Sequence, residues 1–199
     1  MRAFVGVRID PEMAQRISEV QAQLKPRLIG IRWVGRENLH FTLKFLGAVG
    51  EEKIAPIINA LEQTLRAVSC FPITGRGIGV FPDIRRARIL WAGLEGKGLE
   101  PLAREVESTL EPMDFAREKR VFRPHLTIGR WRNPVSQVER LREEIERWKD
   151  HAFGASRVEE VVFFQSVLKP EGAVYSPLQV IALQPTHRQR NLKEEQHHG

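Results

Sequence analysis

The chain has 199 residues, 42% hydrophobic and 28% charged, with a formal net charge of +6 and a pI near 9.9. That length can bury a sizeable core, in one domain or two intimate lobes, and a lone cysteine, Cys70, excludes an internal disulfide and a multi-cysteine zinc site. No apolar run approaches the roughly 20 residues of a membrane span and the N-terminus has no signal-peptide pattern, so a cytoplasmic protein is expected.

Residues 2–9 (RAFVGVRI) predict a strand. Asp10 then stands as an N-cap, with Pro11 at the first position of a helix running to about Leu24. Residues 31–34 predict a short strand, and Leu39 to Leu46 a longer one ended by Gly47. Glu51 to Val68 carries Ile54, Ile57, Ile58, Leu61 and Leu65 at helical spacing. Phe71 to Val80 and Arg88 to Leu94 predict two strands around a loop containing Phe81-Pro82-Asp83.

The order then begins again. Leu99, Leu102, Val106 and Leu110 mark a helix, followed by a basic connection and a strand around His125. Val135 to Trp148 predicts a helix through Val138, Leu141, Ile145 and Trp148. Arg157 to Val167 and Ala173 to Leu183 predict two strands around a Pro170-Glu171-Gly172 turn. Helix, strand, helix, strand, strand thus occurs twice. This duplication predicts an α+β fold of two pseudo-symmetric lobes, each an antiparallel sheet backed by helices on one face, with a central cleft. Residues 1–183 would form that bilobal domain, and the polar stretch 184–199 a flexible tail.

At the same place in each copy stands a matching tetrad, His40-Phe41-Thr42-Leu43 and His125-Leu126-Thr127-Ile128, 85 residues apart. Strand side chains alternate between faces. Phe41, Leu43 and Phe45 would therefore face a core, with His40 and Thr42 on the other side; Leu126 and Ile128 would face inward, with His125 and Thr127 outward. Two facing strands of this kind offer two imidazoles, a proton donor and a proton acceptor near neutral pH. They also offer two hydroxyls suited to phosphate oxygens. Satisfied strand histidines, or a metal site, are the competing readings, and no Cys, Asp or Glu stands at ligand spacing beside either motif.

Arginine supplies 23 of the 31 basic residues. Its planar fork of donors suits the phosphates of RNA or a nucleotide, although an arginine-favouring genome or a heat-adapted surface gives the same balance. Arg117, Lys119, Arg120 and Arg123 lead into the second tetrad, and Arg130 and Arg132 follow it, a collar able to steer an RNA backbone. By strict alternation Arg130 has the wrong parity to sit beside His125, unless the strand ends or twists there. Phe4, Trp33 and Tyr175 are candidate base-stacking surfaces, with core packing as their plainer reading. Trp91, Trp131 and Trp148 carry no functional expectation, and His151, His187, His197 and His198 have no motif context.

The two H-x-T-apolar tetrads resemble the signature of the two-histidine (2H) phosphoesterase superfamily. Arg2-Ala3-Phe4-Val5, Trp33-Val34, Lys44-Phe45-Leu46-Gly47, Phe81-Pro82, Pro124, Gly129-Arg130, and Gly172 with Tyr175 narrow the resemblance to its RNA 2′,3′-cyclic phosphodiesterase branch, first described as a 2′–5′ RNA ligase. The resemblance spans residues 2–183. It implies hydrolysis of terminal RNA 2′,3′-cyclic phosphates to 2′-phosphates, with no metal or other cofactor. His40 would be the proton donor to the leaving 3′-oxygen and His125 the acceptor that activates water. Thr42, Thr127, Arg130 and Tyr175 would bind substrate. The expected partners are RNA ends, tRNA fragments or small cyclic nucleotides, met by a monomer. Two rivals stay open: reversible 2′–5′ ligation at the same site, and a non-catalytic RNA- or nucleotide-binding module.

Overall fold

A run of five buried residues, Ala3 to Val7, makes β1 (Arg2–Arg8) a central strand covered on both faces. The computed structural model to which it belongs describes residues 1–133, 135–169 and 172–185. After β1 comes α1 (Pro11–Leu24), which buries Met13, Ile17, Val20 and Leu24 at the three- and four-residue spacing of one helical face. Next are β2 (Ile31–Trp33), the first motif strand β3 (His40–Ala48) and α2 (Glu51–Leu65). β4 (Phe71–Phe81) and β5 (Ile89–Glu95) form a hairpin, and α3 (Leu99–Leu110) follows. The second motif strand β6 (His125–Trp131) leads to α4 (Val138–Trp148), then to β7 (Ala152–Val158), β8 (Glu160–Lys169) and β9 (Gly172–Ala182). No helix among the described residues is long and apolar enough to cross a membrane.

The strands form two antiparallel sheets, ordered β3-β1-β8-β9 and β2-β6-β5-β4-β7. The fold is α+β with two sheets backed by helices, but neither sheet belongs to one half of the chain. β4 and β5 follow the first motif and lie in the sheet of the second; β8 and β9 follow the second motif and return to the sheet of the first. The helices exchange as well, because α2 and α3 pack on the first sheet while α1 and α4 pack on the second. Each hairpin keeps its two strands adjacent, so whichever sheet takes one strand takes both. The duplicated halves are therefore interlocked rather than side by side.

Three local expectations change. The stretch predicted as one strand from Arg157 is two strands, β7 and β8, meeting at Glu159, and β7 begins at Ala152. Helix α4 starts at Val138 rather than Val135. Asp10 occupies the N-cap of α1 without capping it by its side chain: Oδ2 accepts the Arg157 amide at 3.2 Å, while Asp10 N donates to Ser156 Oγ at 2.9 Å. The carboxylate ties the helix start to β7 instead. Pro170 and Glu171 of the predicted turn, and residues 186–199 of the predicted tail, lie outside the described residues. Gln184 is held by main-chain bonds to Val68 and Cys70.

Both motif strands carry a β-bulge at the same point. Val5 pairs with Lys44 and Gly6 with Thr42, leaving Leu43 unpaired; Leu90 pairs with Gly129 and Trp91 with Thr127, leaving Ile128 unpaired. The Ile128 carbonyl does not go unsatisfied. It accepts the Val34 amide at 3.0 Å and Gln21 Nε2 at 2.8 Å, and the same amide nitrogen of Gln21 donates to the Val34 carbonyl at 2.9 Å. Gln21, buried on α1, thus braces the bulge from behind. Gln21→Leu is expected to cost about 1–3 kcal/mol, because it strands buried carbonyl capacity. A urea midpoint equal to that of the wild type would contradict the brace.

Candidate active site

Strand alternation places the motif side chains as the tetrads predict. His40 and Thr42 are half-buried between fully buried Phe41 and nearly buried Leu43; His125 and Thr127 alternate likewise with buried Leu126 and Ile128. β3 and β6 pack on one another where the two sheets meet. The charge of His125 acts on His40, and that of Arg130 acts on both histidines, so the three groups share one electrostatic neighbourhood.

Both imidazoles are oriented by the same device. His40 Nδ1 lies 2.7 Å from the Asn38 carbonyl oxygen, and His125 Nδ1 lies 2.6 Å from that of Arg123. A carbonyl can only accept, so Nδ1 carries the hydrogen and donates it. Nε2 of each ring is left as a lone-pair base when neutral and an N–H acid when charged. In both motifs the carbonyl belongs to the residue two before the histidine, so the pseudo-symmetry extends to the tautomer.

Aromatic rings surround the pair. Phe4 stacks on His40 at 4.8 Å, Tyr175 meets it edge-on at 4.9 Å, and Phe164 stands at 5.8 Å. Phe81 meets His125 edge-on at 4.9 Å and leans on Trp91 at 5.4 Å. A Cβ at Gly79 would fall 2.2 Å from Trp91 Cζ2, so only glycine lets the indole lie across β4. This apolar setting disfavours the imidazolium form. Burial pushes the His40 pKa down to about 4; the Asn38 carbonyl opposes that shift, while Arg130 and His125 add to it. His125 is lowered for the same first reason, opposed by the Arg123 carbonyl and assisted by Arg130. In both rings the surroundings therefore favour the neutral form in the free protein.

That shift links stability to pH. An unfolded histidine takes its proton near pH 6.5, whereas folded His40 resists until about pH 4. Protonation in this window therefore favours the unfolded chain, and stability present above about pH 6.5 declines as the pH falls toward 4. His40→Phe keeps a ring in the aromatic nest and removes the titration. Its urea midpoint should fall less than that of the wild type between pH 7 and pH 4; parallel curves would contradict the assignment.

Two expectations about neighbours are corrected, and the bulges are the reason. Arg130 follows the unpaired Ile128, which shifts the parity of the strand and brings the exposed guanidinium to the face of His125. Phe45, expected inward, is 71% exposed; the bulge at Leu43 turns it to the His40 face, where its ring lies 6.0 Å from Phe4. Phe45 and Arg130 are thus pseudo-equivalent. Thr42 lies opposite Gly6, and Thr127 opposite Trp91.

Of the stacking candidates, Tyr175 stands at the site. Phe4 is buried between His40 and Phe164, and Trp33 packs on the main core, so both follow their plainer reading. The collar segment from Arg117 to Val121 is exposed, and Arg117 is paired with Glu111 at 2.8 Å. His151 packs edge-on to Trp148 and Phe153; His187, His197 and His198 lie outside the described residues. Sequence reasoning missed the Asn38 and Arg123 carbonyls, Phe164, and the functional setting of Phe81 and Trp91. Main-chain acceptors leave no mark on residue identity, so only the aromatic residues carried a usable signal. Among the described residues, no group of three or more His, Cys, Asp or Glu side chains could hold a metal ion.

A family model described as LigT like phosphoesterase matches residues 7–91 and 95–175. The RNA 2′,3′-cyclic phosphodiesterase of Methanothermobacter thermautotrophicus is 38% identical over 184 residues, covering 92% of this chain and 99% of its own. The protein of that name from Methanocaldococcus jannaschii is 34% identical over 175 residues, covering 88% and 96%. Among solved structures, TT0787 of Thermus thermophilus has a TM-score of 0.81 at 27% identity, covering 94% of this chain and 100% of that one. E. coli LigT complexed with 3′-AMP has a TM-score of 0.72 at 25% identity, covering 92% and 97%.

Proposed function

The chain belongs to the LigT-like phosphoesterase family, and we propose that it hydrolyses the 2′,3′-cyclic phosphate at RNA ends to a 2′-phosphate, using His40 and His125 as an acid–base pair. The observation that carries this reading is the matched pair of Nδ1–carbonyl bonds, which leaves two Nε2 atoms free to move protons. Water attacks phosphorus in line with the P–O3′ bond, and His125 Nε2 takes its proton. O3′ departs with the proton of His40 Nε2, so one water is consumed and the two rings exchange charge states. Arg130 and the hydroxyls of Thr42 and Thr127 hold the non-bridging oxygens, and Tyr175 borders the nucleoside. The phosphodiester anion offsets the burial and the Arg130 charge that disfavour the charged form of both rings, so substrate binding itself favours the imidazolium the reaction needs. One chain supplies both histidines, which supports a monomer in which residues 1–183 act as one bilobal domain; a cytoplasmic location completes the proposal. Its substrates would be RNA ends, tRNA fragments among them, or small cyclic nucleotides.

Incubation with 2′,3′-cyclic AMP is expected to yield 2′-AMP, resolved from 3′-AMP by chromatography. The 3′ isomer would overturn the regiochemistry, and binding without hydrolysis from pH 5 to 8 would favour the non-catalytic module. Excess EDTA is expected to leave the rate unchanged; loss of activity restored by zinc would overturn the metal-free mechanism.

A further inference from the structure

We propose that the ion pair between buried Lys44 and half-buried Glu107 is a positioning device, holding the loop that leads into His125 against the strand that carries His40. The inference rests on the two-histidine reading above. Lys44 lies four residues after His40 on β3, where strict alternation would put it on the His40 face. The bulge at Leu43 instead turns it toward α3. There Lys44 Nζ donates to Glu107 Oε2 at 2.6 Å and to the Ala116 carbonyl at 2.8 Å, with its side chain only 4% exposed. The same carboxylate oxygen accepts the Glu118 amide at 3.3 Å. One ion pair therefore grips the loop at residues 116 and 118.

The loop needs such a grip. No helix or strand spans 114–124, so its course depends on what its backbone bonds to. Lys53 holds the start through Asp114 at 3.2 Å and the Met113 carbonyl, and the Leu94 amide holds the end through the Pro124 carbonyl at 3.2 Å. Lys44 and Glu107 fix the middle. Just beyond lies the Arg123 carbonyl that orients His125 Nδ1. The corresponding position of the second motif is Gly129, so the strut exists on one side of the pseudo-symmetric site only. A displaced loop would swing the His125 acceptor while leaving His40 and its Asn38 carbonyl in place.

Removing Glu107 alone leaves the buried Lys44 charge without its partner and risks the fold. The decisive variant is therefore the double K44M/E107L, which leaves no unpaired charge and removes both main-chain grips. With folding verified by thermal melting, kcat on 2′,3′-cyclic AMP is expected to fall about tenfold to 100-fold with KM little changed. In NMR the His125 imidazole titration should move while that of His40 stays, and K44R should recover part of the loss. Wild-type kcat together with an unmoved His125 titration would overturn the proposal. The NMR readout needs no turnover, so failure of the proposed reaction is distinguishable from failure of the strut.

Discussion

Replacing His125 or His40 with alanine is expected to lower turnover of a 2′,3′-cyclic nucleotide by at least about 100-fold, because general acid or base action contributes about 10²–10⁴-fold. Both rings sit on the half-buried face of their strands, and the core residues beside them, Phe41 and Leu126, point the other way. Melting transitions should accordingly stay cooperative. The two losses should not multiply. Once one imidazole is gone, the other has no partner with which to pass a proton through the transition state, and groups acting as a unit show this non-additivity. The double alanine variant is expected to be little worse than the poorer single variant. Near-normal kcat in either purified single variant would remove that histidine from the mechanism. Fully multiplicative losses would show two independent contributions rather than one acid–base pair.

The legible part of this molecule follows from local chemistry, and the illegible part from pairing. Alternation in His40-Phe41-Thr42-Leu43 and its counterpart is sufficient to put both histidines and both threonines on one face, because nothing interrupts the strand before the third residue after each histidine. Beyond that point alternation fails. A bulge is a relation between two strands: Leu43 and Ile128 are ordinary β-forming residues, and what marks them is that β1 and β5 skip them. Arg130, Phe45 and Lys44 depart from alternation for that single reason. The interlocking of the sheets is hidden in the same way, since identical element orders are compatible with side-by-side or exchanged halves. β7 is hard to read because Gly154, Ala155 and Ser156 have little β propensity; its strand character comes from pairing along β4. The helices are legible from Pro11, Leu99 and the apolar spacing because helical hydrogen bonds stay within the segment.

Arg130→Met should expose what the bulge at Ile128 is for. The guanidinium is the nearby fixed cation that acts on both histidines, lowering each. A positive group at that position has two consequences that pull apart when it is removed. Charge building on the non-bridging oxygens loses a preorganised partner, which costs about 10²–10³-fold in kcat/KM by analogy with loss of an oxyanion donor. At the same time each imidazole loses a repulsive neighbour, so its protonated form becomes less unfavourable and its pKa rises toward the ordinary value of about 6.5. The bell-shaped profile of kcat/KM should therefore drop and move to higher pH together, and both histidine titrations followed by NMR should move up. Arg130→Lys keeps the charge and loses the two-pronged fork, so it should restore the pH position more fully than the rate. A large rate loss with unmoved titrations would mean that Arg130 acts on substrate alone. Unchanged kcat/KM would return it to the solvated surface, leaving the bulge to serve the course of the strand and nothing at the histidines.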